Sequence, residues 1–167
     1  MTDPIVVAPQ LVIAPDDPES GDVMALLESH LAFARAESPP EHVHALDVDR
    51  LLDPAVTFFS ARRNGVVVGV GAIKRLDESH AELKSMHTSA AARRQGVAAA
   101  MVEHLLALAA AAGYQRVSLE TGTMDAFAPA RSLYTKLGFV ECEPFASYTV
   151  NPYSTCMTIE LEPGPAS

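Results

Sequence analysis

The chain is poor in the residues that build metal sites, disulfide frameworks and basic surfaces. Of 167 residues only two are cysteine, Cys142 and Cys156. Two are too few for a disulfide framework, and their spacing is not that of a metal site. Six histidines are scattered; His42 and His44 are close together, but no second cluster completes a ligand set, so no metal is expected. Twelve basic residues stand against 21 acidic ones, a net charge of −9. Nucleic acid is therefore excluded as an expected partner, because its phosphates require a basic face. A cationic or amine-bearing partner fits better. Long hydrophobic runs are missing too. The best, Val97 to Ala112, is broken by Glu103 and His104 and is too short to span a membrane. The N-terminus carries Asp3 and no positive n-region, so no export signal is read and a cytoplasmic location is expected. No internal repeat or domain boundary is visible, so residues 1–167 are expected to form one domain, with its core at about 10–162.

What is present reads as alternating strands and helices. "QLVIAP" is a strand stopped by proline. "DPESGDVMALLESHLAFARA" is a helix with Met24, Leu27, Leu31 and Phe33 toward the core and Asp22 and Glu28 away. The proline-bounded "SPPEHVHALDVDRLLDP" holds a second short helix and is a candidate substrate-facing connection. Two β-rich runs flank Asn64-Gly65, a strong hairpin signal. "GVGA" at Gly69–Ala72 lies inside a strand with no helix behind it, so it is not a dinucleotide loop. A third strand, "SHAELKSMHTS", precedes a long helix closed by Gly113. Strand "YQRVSLETG", helix "APARSLYTKLG" and strands "FVECEPF" and "STCMTIELEP" follow. The order β α α β β β α β α β β predicts an α/β (α+β) domain. Its mixed central sheet has about six or seven strands and about four flanking helices. The third strand of the central run, the long helix and "VSLET" form a β-α-β crossover with parallel pairing.

The start of the long helix carries chemistry. A helix N-terminus presents unpaired amides and partial positive charge. Gly96 and Ala98 leave the approach open, while Arg93 and Arg94 add full charge. Strand, basic turn, glycine, small residue and helix together specify a pyrophosphate cradle.

"RRQGVA" resembles the acyl-CoA signature Arg/Gln-x-x-Gly-x-Gly/Ala of the GNAT superfamily of N-acetyltransferases, matched by Arg93, Gly96 and Ala98. "ARSLYTKLGF" resembles that family's Ala-x-x-Leu-Tyr-x-x-x-Gly-Phe helix, and the likeness covers about Gln10 to Glu162. The resemblance implies the GNAT fold. It also implies an N-acetyltransferase that moves acetyl from acetyl-CoA directly to a primary amine of a small molecule or peptide. It implies that the amides from Arg94 through Gln95, Gly96, Val97 and Ala98 to Ala99 hold the pyrophosphate. The backbone of Met86, His87 and Thr88 would pair with the pantetheine arm, between strands that splay apart, and Tyr134 would protonate the leaving thiolate. Glu82, eleven residues before Arg93, stands where histone-type members carry a catalytic glutamate and is the first candidate base; Lys84 on the same strand face would weaken it. Glu120 is the second candidate base and His87 the third. Phe127 stands where many members carry a CoA-steadying asparagine. Phe145, Tyr148 and Tyr153 fall in the region that borders the acceptor site, and Phe145 and Tyr148 are expected to contact substrate. Cys142, between Glu141 and Glu143, is a poor nucleophile, so no acyl-enzyme is expected. Alternatives are an acyl-CoA-binding sensor or partner subunit, or transfer of a longer acyl group. No membrane partner is expected, and a homodimer is compatible with these features.

Overall fold

A computed structural model of the chain describes residues 10–37 and 48–162. His42, His44 and most of the proline-bounded connection lie outside the described residues. The elements follow the order read from the sequence: β1 (Leu11–Pro15), α1 (Gly21–Glu37), α2 (Val48–Leu51), β2 (Val56–Arg63), β3 (Val66–Arg75), β4 (His80–Thr88), α3 (Val97–Ala111), β5 (Arg116–Gly122), α4 (Ala128–Lys136), β6 (Val140–Cys142) and β7 (Ser154–Glu160). They build one seven-stranded mixed sheet, in the order β1-β2-β3-β4-β5-β7-β6. Every neighbouring pair is antiparallel except β4 and β5, the parallel pair that α3 connects. Among the described residues no helix is long and apolar enough to cross a membrane.

The turns are set by residues that tolerate left-handed backbone. Asn64 (φ 53°) and Gly65 (φ 78°) both take positive φ, as the tight β2–β3 hairpin demands. Gly138 (φ 106°) ends α4. Alternation along β2 sends neighbouring phenylalanines to opposite faces. Phe58 joins Val23, Leu27, Val70 and Ala72 in a small core under α1. Phe59 joins Leu83, Met101, Leu105, Leu119, Phe139 and Met157 in the main core under α3 and α4. Gly69 and Gly71 face α3. A Cβ on Gly69 would lie 2.7 Å from Val97, and one on Gly71 2.8 Å from Met101. These glycines admit the helix to close range, which is the use of the "GVGA" stretch.

The buried face of α1 differs from the expected one. Val23, Leu27 and Ala34 are buried, while Met24, Leu31 and Phe33 are only partly covered. The observed spacing of four and seven keeps one stripe in line along a helix; the expected set does not. Asp22 and Glu28 do point away. Arg62 fixes the start of this helix by pairing with Asp22 (2.7 Å) and Asp16 (2.9 Å).

Candidate functional site

The site arises where the sheet comes apart. β4 and β5 are paired only at His80–Glu82 against Arg116–Ser118. Beyond that point β4 holds a bulge: Val70 faces His87 and Ala72 faces Lys84, so one residue of β3 opposes two of β4. Ser85 in the bulge has φ 59°. A bulge increases local twist and bends the strand, which carries the end of β4 away from β5. The gap is a cavity of about 660 Å³ that runs from the acidic residues of β4 and β5 to the start of α3.

At the α3 end lies the helix start that the sequence marks as a cradle. Gly96 is the N-cap with φ 80°, and open space surrounds the position a Cβ would take. The first intrahelical bond is donated by Ala100 N–H to Gly96 O (3.0 Å), so the amides of Val97, Ala98 and Ala99 precede the ladder. Arg93 and Arg94 are exposed and line the same cavity. Gln95 does not line it. Its side chain accepts from Arg63 Nη1 (2.5 Å) and donates to Ala91 O (3.2 Å), bracing the turn from outside. Met86, His87 and Thr88 form the β4 wall.

Acidic and phenolic groups gather where the strands part. Glu82 is 2% exposed, yet it lines the cavity. Its Oε2 accepts from Tyr148 Oη (2.5 Å) and from Lys84 Nζ (3.4 Å). Glu120 lies two residues beyond Ser118, the register partner of Glu82. Burial, reinforced by the negative charge of Glu82 and opposed by Lys84, pushes its carboxyl up to about 7. Tyr134 reaches the cavity from α4, and burial raises its phenol to about 12. Burial, then the neighbouring His30 and Arg93, lowers His87 to about 4, so its imidazole is neutral at pH 7.

Of the two residues expected to contact substrate, Tyr148 lines the cavity and Phe145 does not. Phe145 is buried behind Tyr148, with ring centroids 5.0 Å apart. Tyr153 lines the cavity as well. Phe127 covers Gly122, where a Cβ would meet its ring at 2.4 Å, and it meets Phe33 of α1 edge-on at 5.2 Å. An aromatic pair thus spans the cavity near the place of the missing asparagine. Arg131 Nη1 holds the adjoining backbone by donating to Gly122 O (2.6 Å) and Met124 O (3.0 Å).

Sequence reasoning passed over His30 and placed Phe33 toward the core, whereas both line the cavity. His30 continues the stripe of Val23, Leu27 and Ala34, and that spacing was the available signal. Its ring stands 4.8 Å from that of His87. The cysteines are opposed across β6 and β7. Burial raises both thiols, Cys156 to about 11, so neither supplies a thiolate near neutrality. No cluster of metal-ligating side chains occurs among the described residues.

Residues 23–139 match the Acetyltransferase (GNAT) family. An uncharacterised N-acetyltransferase of Bacillus subtilis, YsnE, is 46% identical over 146 residues, 87% of this chain and 97% of that protein. An IAA acetyltransferase of Azospirillum brasilense is 35% identical over 150 residues, 89% of this chain and 97% of that protein. A crystal structure of a GNAT family acetyltransferase from Elizabethkingia anophelis with acetyl-CoA bound superimposes with a TM-score of 0.67. It is 17% identical, and the match covers 90% of this chain and 98% of that one.

Proposed function

The chain belongs to the GNAT family of acetyltransferases and is an acyltransferase; from that premise we propose that it moves an acetyl group from acetyl-CoA to a primary amine. The carrying observation is a single cavity that joins a phosphate-type cradle at Gly96 to Glu120 and Tyr134. The cradle fits the cosubstrate: free amides at a helix start, an open approach over Gly96 and two flanking arginines suit a pyrophosphate. When bound, acetyl-CoA supplies an activated thioester. The residues of this chain supply position and protons.

An alkyl amine has a pKa of about 10 and is almost wholly protonated at neutral pH, so it needs a base before it can attack. Glu120 is the base in this reading. A carboxylate raised to about 7 takes up a proton near neutrality far more readily than an ordinary one. Tyr134 is the acid. It keeps its proton to about 12 and lies across the same cavity, suited to protonate a departing thiolate. The split of β4 from β5 leaves backbone groups of Met86 to Thr88 without a β5 partner, suited to hold the extended arm of the cosubstrate.

The test is release of free thiol from acetyl-CoA against a panel of primary amines, with IAA, named in the Azospirillum relative, as a further candidate. Turnover with at least one amine, lost in Glu120→Gln, supports the reading. Tight acetyl-CoA binding with no turnover across the panel overturns it.

A further inference from the structure

Two carboxylates share the acidic end of the cavity, and one base suffices for the reaction. Glu82 is poorly placed to be that base. It is almost fully buried, and two donors converge on one of its oxygens. The bond from Tyr148 is short, 2.5 Å, and holds the phenol against that oxygen. Lys84 stands 3.4 Å from that oxygen and also 3.4 Å from Tyr148 Oη.

The loop that carries Tyr148 is built to hold it there. Phe145 is buried and packs against the Tyr148 ring, and Tyr148 N–H donates to Phe145 O (3.0 Å). Ala146 between them takes φ 51°. Glu120, by contrast, has no side-chain hydrogen bond recorded among the described residues, and it lines the cavity.

We propose that Glu82 is a positioning residue: Tyr148 and Lys84 hold it as a fixed carboxylate, and that charge governs when Glu120 can take a proton. The groups that share the cavity with Glu120, or face it in register, come from several elements. β4 brings Glu82, Lys84 and His87, and the loop after β6 brings Tyr148. β7 brings Cys156, directly opposite Glu120 in register. Tyr153, His30 of α1 and Tyr134 of α4 complete the lining. Of these, Glu82 and Lys84 act on Glu120 with opposite signs, the first raising its carboxyl and the second lowering it.

The inference rests on the acyltransferase reading for its purpose, but its test needs no acceptor. Protein labelled with carbon-13 at the glutamate side-chain carboxyl is titrated by NMR, and Glu120→Gln identifies the resonance of Glu120. The expected midpoint in the unmodified protein is about 7. Glu82→Gln lowers it by about one unit or more, because a like charge is removed. Lys84→Met raises it. Opposite signs in the two charge variants cannot arise from a general loosening of the fold. An unmoved midpoint in Glu82→Gln, or shifts of the same sign in both, overturns the proposal. If Glu82→Gln does not fold, Lys84→Met decides by its sign. Kinetics give a second readout once an acceptor is found. Loss of a true base costs about 10²-fold or more at every pH, whereas a positioning role moves the acid limb and leaves the high-pH plateau within about tenfold. An inert amine panel with the predicted titration would overturn the catalytic reading and leave the charge network standing.

Discussion

Glu120 carries consequences for both rate and stability. As the base of the proposed reaction its carboxyl must be ionised to act, so kcat/KM is expected to rise with pH through about 7. Tyr134 holds its proton to about 12, so no falling limb is expected below about pH 9, and the profile is a rise to a plateau rather than a bell. Glu120→Gln removes the base and is expected to lower kcat by about 10²–10⁴-fold; Tyr134→Phe acts on the leaving thiolate and should cost kcat more than KM. The stability effect has the opposite sense. The folded carboxyl titrates near 7 and the unfolded one near 4.5, so the folded state binds more protons between those values. Stability from this group therefore falls as pH rises from about 4.5 to 7, by on the order of 3 kcal/mol. Glu120→Gln removes that loss. Its Tm is expected to exceed that of the parent protein at pH 8, with little difference at pH 4; scanning calorimetry at the two pH values checks this.

At the scale of elements, the order of strands and helices was legible because strong punctuation marks it. Asn64-Gly65, Gly113 and Gly138 all take the positive φ that their turns require. The helix start at Gly96 was legible too, since its parts are neighbours in sequence. The buried face of α1 was not: its stripe passes through His30, a polar residue that pattern reading passes over. The bulge at Ser85 was also hidden, because nothing about a serine in a strand announces left-handed backbone. The bond between Tyr148 and Glu82 joins residues 66 apart, and only the folded sheet brings them together. Phe145 and Tyr148 lie three positions apart, yet only Tyr148 lines the cavity. The packing of α3 yields a prediction of its own. A methyl on Gly69 would press on Val97, a stiff β-branched residue that opens α3 beside the cradle. A methyl on Gly71 would press on flexible methionines, Met86 and Met101. Gly69→Ala is therefore expected to lower Tm by several degrees, as overpacking of about 1–3 kcal/mol implies, and to weaken acetyl-CoA binding. Gly71→Ala should lower Tm less and leave binding nearly unchanged. Calorimetry with and without acetyl-CoA separates the two.

Over the whole molecule, the sheet has a seam. Three register pairs join β4 to β5, against seven that join β5 to β7. A ligand lying along the seam would add contacts between the two halves that the protein alone does not make. Saturation at about 100 times Kd stabilises a protein by about 2.7 kcal/mol. Acetyl-CoA is therefore expected to raise Tm and to slow hydrogen exchange at residues 83–88 of β4 and 119–122 of β5. The outer hairpin of β2 and β3 should change less. Uniform protection across the sheet would place the ligand elsewhere.

The Tyr148 loop has a consequence for how such a protein diversifies. The proposed donor cradle sits at a helix start, at Gly96 and the small residues that follow it. The loop from 143 to 153 has no regular secondary structure and touches the acidic end through a few side chains. On the proposed function, substitutions there would redraw the acceptor wall and retune the base in one step while the cradle stays intact. A lineage built on this scaffold could therefore change which amine it recognises and the pH at which it works together, keeping its acyl donor throughout.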